Sequence, residues 1–80
     1  MAKLVWSKHV LDLMADLSPN ESALIFDKAE ILRRFPRLYP MRSTKRFRRY
    51  RRLLAGQWIL YYRVVDDTVY IRSLWPAMIP

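Results

Sequence analysis

The hydrophobic pattern of this chain changes period once. Up to Phe35 apolar residues recur at helical spacing, and after Thr44 they fall on alternate positions. A chain of 80 residues that runs from helical to strand-like periodicity is restricted to one small α+β domain, spanning residues 1–80. The clearest local signal lies in the helical part. In Ser18-Pro19-Asn20-Glu21 the serine caps, the proline takes the first helical position and Glu21 completes a capping box. The helix it starts carries Leu24, Ile25, Lys28, Ile31, Leu32 and Phe35 on one broad face, and Pro36 stops it. An earlier helix is expected after Ser7, with Val10, Leu11, Met14 and Leu17 on its apolar side, and Lys3–Trp6 reads as a short strand before it. The two helices form a hairpin.

Residues 36–44 contain two prolines and no period, so they form a loop. Three strands are expected beyond it: Arg46–Leu54, Gln57–Val65 and Thr68–Trp75, joined by turns at Ala55-Gly56 and Asp66-Asp67. Such an order makes a two-layer fold in which the helical hairpin covers one face of an antiparallel sheet and leaves the other open. On the second meander strand Trp58, Leu60, Tyr62 and Val64 share one face, and Gln57, Ile59, Tyr61, Arg63 and Val65 share the other. On the last strand Val69, Ile71 and Ser73 oppose Tyr70, Arg72 and Leu74. Which face meets the helices is left open by the pattern alone.

Charge narrows the partners. Fifteen Lys and Arg against seven Asp and Glu give a net charge of +8, and the run Lys45-Arg46-Phe47-Arg48-Arg49-Tyr50-Arg51-Arg52 concentrates it. A hydrophobic content of 52% argues for a folded basic surface rather than a disordered tail, and such a surface seeks a polyanion. The chain has no cysteine and one histidine, so thiol chemistry, disulfides and a histidine metal site are excluded, and no metal or cofactor is expected. No apolar run reaches membrane-span length and the N-terminus lacks a signal-peptide pattern, which makes the cytoplasm the expected compartment and a membrane partner unexpected.

Arginines are the residues able to carry chemistry here. A guanidinium grips a phosphate through two parallel hydrogen bonds and stabilises the negative charge that develops during RNA cleavage. Arg63 and Arg72, neighbours if the register permits, and Tyr62 are the catalytic candidates. Lys45, Arg46, Arg48, Arg49, Arg51 and Arg52 are the RNA-binding candidates, with Trp75 as a stacking residue beside Tyr61 or Tyr62. His9 falls in the first helix, with nothing to bring it to the basic cluster, and the acidic residues read as turn formers or exposed helix positions.

Order and spacing over nearly the whole chain resemble the RelE/ParE superfamily, the toxins of bacterial type II toxin-antitoxin pairs. The likeness centres on Arg52-Leu53-Leu54-Ala55-Gly56-Gln57-Trp58-Ile59-Leu60-Tyr61-Tyr62-Arg63-Val64, followed by Asp66-Asp67 and Val69-Tyr70-Ile71. The resemblance implies a cognate antitoxin with an acidic or amphipathic segment. It also implies one of two activities: RelE-like cleavage of mRNA on the ribosome, or ParE-like inhibition of DNA gyrase. The high charge favours the ribosomal reading, because docking among phosphates gains from each exposed cation; a plain nucleic-acid-binding module is the remaining alternative. Two departures bear on cleavage. RelE-like chains commonly carry an arginine three residues after the hairpin glycine, where this chain has Ile59. Relatives with a WPARIP-like ending carry a basic residue where this chain has Met78, which marks Met78 as an attenuating position.

Overall fold

A computed structural model of the chain describes residues 1–41 and 48–77. Its elements are β1 (Lys3–Trp6), α1 (Lys8–Ala15), α2 (Pro19–Ala29), a 3-10 turn (Glu30–Arg33), β2 (Arg51–Ala55), β3 (Trp58–Val65) and β4 (Thr68–Pro76). The strands form one sheet in the order β1-β4-β3-β2, with β1 parallel to β4 and the meander antiparallel. The expected α+β class, helical hairpin and three-strand meander are all present.

Both helix starts follow their caps. The Ser7 side chain accepts from the Val10 amide at 3.1 Å, and Ser18 and Glu21 close a reciprocal capping box. One further bond fixes the hairpin. The Ser22 hydroxyl donates to the Met14 carbonyl at 3.0 Å, tying α2 to α1 across the turn. Lys8 and Asp12 pair on the outer side of α1. The apolar face of α2 is narrower than its periodicity predicts. Ile25, Ala29 and Leu32 are fully buried, whereas Leu24, Ile31 and Phe35 remain exposed. The helix tightens to 3-10 pitch at Glu30, so a 3.6-residue period stops describing the chain there.

The core lies between the helices and one face of the sheet. Val10, Met14, Ile25, Ala29 and Leu32 pack against Leu53, Ala55, Leu60, Tyr62, Val69, Ile71 and Leu74. On β3 this assigns Trp58, Leu60, Tyr62 and Val64 to the core side. β4 does not keep strict alternation. Its pairing with β3 shifts between Tyr61 and Tyr62: Tyr62 pairs with Ile71, and Tyr61 pairs with Ser73, so Arg72 is the extra residue of a bulge. Leu74 consequently returns to the core and Ser73 moves to the open face, the reverse of the alternation expected from sequence.

The basic run is corrected as well. Arg51 is the first residue of β2, and Arg48–Tyr50 stand outside it, with Arg49 at φ +73°. Left-handed backbone cannot extend a strand, so the ladder with β3 ends at the Arg51–Tyr62 pair. Lys45 and Arg46 lie outside the described residues.

Two turns and one polar bridge hold the hairpins to the helices. Gly56 takes φ +62° at the first central position of a two-residue turn, where a hairpin of this type places glycine. Asp66 takes φ +53° in the second turn, a conformation that a short polar side chain tolerates. The Trp58 indole donates to Glu21 Oε2 at 2.8 Å, joining the capping box of α2 to the start of β3. This bond and those from Ser18 hold the Glu21 carboxyl below its usual range.

Gly56→Ala is expected to cost about 1–2 kcal/mol, chiefly from forcing a Cβ into left-handed backbone. The new methyl would also meet Leu24 Cδ2 at 2.8 Å, but that side chain is partly exposed and has room to turn away. Chemical denaturation measures the change. The Glu21 bridge has a pH signature with a fixed sign: a carboxyl whose pKa is lowered by folding supports the fold above its unfolded value of 4.5 and loses that support as the pH falls through the folded value. Trp58→Phe is therefore expected to flatten the acid limb of a stability-against-pH curve, and an unchanged acid limb would refute the bridge.

Candidate functional site

Net charge is unequal between the two layers. In the helical layer Asp12, Asp16, Glu21, Asp27 and Glu30 nearly balance Lys8, Lys28, Arg33 and Arg34, whereas the sheet and its preceding loop set Arg37, Arg48, Arg49, Arg51, Arg52, Arg63 and Arg72 against Asp66 and Asp67. A polyanion is thus attracted to the sheet side. Strand parity then decides which of these side chains reach solvent on the open face.

Arg52 and Leu54 of β2, Ile59, Tyr61, Arg63 and Val65 of β3, and Tyr70, Ser73 and Trp75 of β4 lie on that face, with Arg72 at the bulge beside them. The register sets Arg63 opposite Tyr70 and brings Arg63, Val65, Tyr70 and Arg72 around one depression. Arg63 and Arg72 are exposed, and the Arg63 guanidinium lies over the Tyr50 ring, 5.8 Å from its centroid. A guanidinium held on an aromatic face keeps the edge of its donor fork available. The two arginines paired by sequence reasoning do share a surface.

Tyr62 does not join them. It points into the core, is fully buried, and its hydroxyl has no hydrogen-bond partner among the described residues. Burial pushes its pKa up to about 12, against the opposing effects of the Arg51 charge and the Tyr39 backbone. A phenol so placed neither stacks on a base nor exchanges protons with a group bound to the open face, which corrects its place among the catalytic candidates.

Arg51 is also redirected. It sits on the core side of β2, and its Nη1 donates to the carbonyls of Tyr39 at 2.6 Å and Arg37 at 3.4 Å. Its charge is spent holding the loop that precedes the basic run, helped by a bridge between Met41 and Arg51. Arg52, one residue on, is exposed on the open face, and Arg48 and Arg49, before the strand's start, are also exposed. Trp75 is half-buried there, paired with Ile59, and its indole donates to the Ser73 hydroxyl at 2.8 Å. His9 is exposed on α1, in the helical layer.

The other end of the open face is apolar. Tyr39, Pro40, Leu54, Ile59 and Ala77 line a groove with Arg52 at its edge, and Leu54 is 58% exposed. Sequence reasoning singled out Ile59 as a departure but did not find the groove. Its walls come from three separated segments, and the outward phase of Leu54 on β2 was its one local sign. Tyr70, by contrast, was legible, since alternation placed it on the face of Arg72. Met78 lies outside the described residues.

No helix among the described residues is long and apolar enough to cross a membrane. No curated protein matches the chain. The family model described as the ParE toxin of type II toxin-antitoxin systems, parDE, matches residues 21–78, from the capping box of α2 through the whole meander. Together with the helical hairpin and the four-strand sheet, that match shows that the chain belongs to the ParE toxin family of the RelE/ParE superfamily, the toxin half of a type II toxin-antitoxin pair.

Proposed function

We propose that the chain acts as a ParE-like inhibitor that occupies DNA gyrase and cuts no RNA, with a cognate antitoxin of acidic or amphipathic character as its neutralising partner. Ile59 carries this reading. The resemblance to RelE-like nucleases assigns a phosphate-facing arginine to that position, and here it is occupied by one wall of the groove formed with Tyr39, Pro40, Leu54 and Ala77. Apolar walls desolvate well against a protein surface, and Arg52 is the one cation that lines the groove with them. The burial of Tyr62 supports the same reading, because it removes the aromatic hydroxyl nearest in sequence to Arg63 from any reaction on the open face.

The second reading, a RelE-like mRNA endonuclease acting on the ribosome, is favoured by one feature, the shared placement of Arg63 and Arg72. Two guanidiniums beside one phosphate stabilise developing charge without a conventional base. Supercoiling and primer extension separate the two activities. Purified protein is expected to inhibit gyrase supercoiling, with Leu54→Asp weakening inhibition by about tenfold or more, as expected when a charge is buried at an apolar contact. Codon-linked mRNA ends after induction, with supercoiling unaffected, would reverse the order of the readings.

Tyr62→Phe provides a second check. Removing a buried hydroxyl that lacks a partner among the described residues is expected to leave stability unchanged or raise it by about 1 kcal/mol. Toxicity in an induced culture should be unaltered. The alkaline limb carries the sign: a phenol whose pKa is raised by folding keeps its full contribution below about 10 and loses it toward 12, so the variant should resist alkaline unfolding better than the parent. A folded but harmless Tyr62→Phe protein would return this residue to the mechanism.

A further inference from the structure

We propose that Arg63, Tyr70 and Arg72 form a clamp for single-stranded nucleic acid, a site that binds without cleaving and lies apart from the apolar groove. The register supplies the first argument. Arg63 and Tyr70 are cross-strand partners, and Arg72, two residues beyond Tyr70, lines the same depression. Alternation places Arg72 on the face of Tyr70, and the bulge resets the phase only after it, so the second guanidinium stays in this row while Leu74 returns to the core.

Two exposed guanidiniums at one depression repel each other unless an anion lies between them. The described acidic residues nearest in sequence, Asp66 and Asp67, form the β3–β4 turn, and no salt bridge to Arg63 or Arg72 occurs among the described residues. A phosphodiester meets the requirement, since each arginine can present a two-donor fork to its free oxygens. Arg63 is placed over an aromatic ring, its guanidinium carbon 5.8 Å from the Tyr50 centroid.

The flanking surface favours a single strand over a duplex. Tyr70 lines the same depression and Trp75 lies farther along β4, so aromatic groups follow the phosphate-binding cations along a sheet surface. Unpaired bases stack on such groups, whereas a duplex keeps its base faces inside. Arg52, exposed on the same face opposite Tyr61, would extend the backbone track. The helical layer, where acids and bases nearly balance, lies on the other side of the sheet. Binding here does not depend on the gyrase reading.

Fluorescence anisotropy over a salt series tests the clamp, using short labelled oligodeoxyuridylate and oligouridylate of equal length and a blunt DNA duplex. The parent protein is expected to bind both single strands more tightly than the duplex. The double variant R63A/R72A should bind them about tenfold or more weakly and lose about 1.4 from the slope of log affinity against log salt, two phosphate contacts at roughly 0.7 each. R63K/R72K should retain the slope and recover only part of the affinity, because lysine keeps the charge and lacks the fork. Lys8→Ala with Lys28→Ala, which removes as much charge from the helical layer, should bind as the parent does. Circular dichroism verifies that each variant is folded. Parent-like binding by folded R63A/R72A, an equal loss in the helical-layer variant, or tighter binding to the duplex would each overturn the proposal. A preference between the two oligonucleotides identifies the sugar that the site accepts.

Discussion

The register shift between β3 and β4 governs the rest of the molecule. With a side-chain period of two, an unbroken β4 would bury Val69, Ile71 and Ser73 and send Leu74 to solvent. One inserted residue at Arg72 resets the phase, so Ile71 and Leu74 both enter the core, opposite Tyr62 and Leu60. Fully burying a leucine side chain is worth about 1.5–3 kcal/mol relative to exposing it, and the shift also spares a serine hydroxyl from the apolar interior. Ser73 instead receives the Trp75 indole on the open face. The device that completes the core therefore also decides which side chains of β4 stand on the open face.

Parity divides the basic run in a similar way. Arg51 and Arg52 are adjacent in sequence and equal in charge, yet they face opposite sides of β2. The inward arginine cannot be left unpaired, and the carbonyls of Arg37 and Tyr39 satisfy it while fixing the loop that also carries Pro40 of the apolar groove. One cation thus works inside the fold so that its neighbours can work outside it. Tyr62, paired with Arg51 in the ladder, shows the cost of this arrangement: a buried hydroxyl with no hydrogen-bond partner among the described residues carries a penalty of about 1–3 kcal/mol.

The parts of this structure legible in the sequence are those determined locally. Ser7, Ser18 and Glu21 cap the helices they were expected to cap, Lys3–Trp6 is a strand, and the meander turns fall at Gly56 and Asp66, because each depends on side chains and backbone preferences within a few residues. What was not legible depends on pairing between distant segments. Nothing in Thr68–Trp75 announces a bulge at Arg72, because the bulge serves Leu60 and Tyr62 on another strand. Arg51 looks no different from Arg52 until the loop carbonyls that hold it are in place. The apolar groove is illegible for the same reason, since Tyr39, Leu54 and Ala77 come from three separate segments.

The open face is consequently a surface with two ends. Ile59 and Arg63 lie four residues apart on β3, roughly 13 Å at strand rise, and the apolar groove surrounds the first while the arginine pocket surrounds the second. An apolar contact gains from excluding water, whereas a phosphate contact gains from counterion release and weakens with salt. Separating the two allows each to work in the surroundings it needs. A partner that carries both an apolar ridge and a polyanionic strand, as a protein bound to nucleic acid does, can engage the whole face; a partner with only one of them engages half. The affinity of the toxin for its target should then be the product of two linked contacts of different salt dependence, with β3 as the rigid linker that keeps the effective concentration of the second contact high.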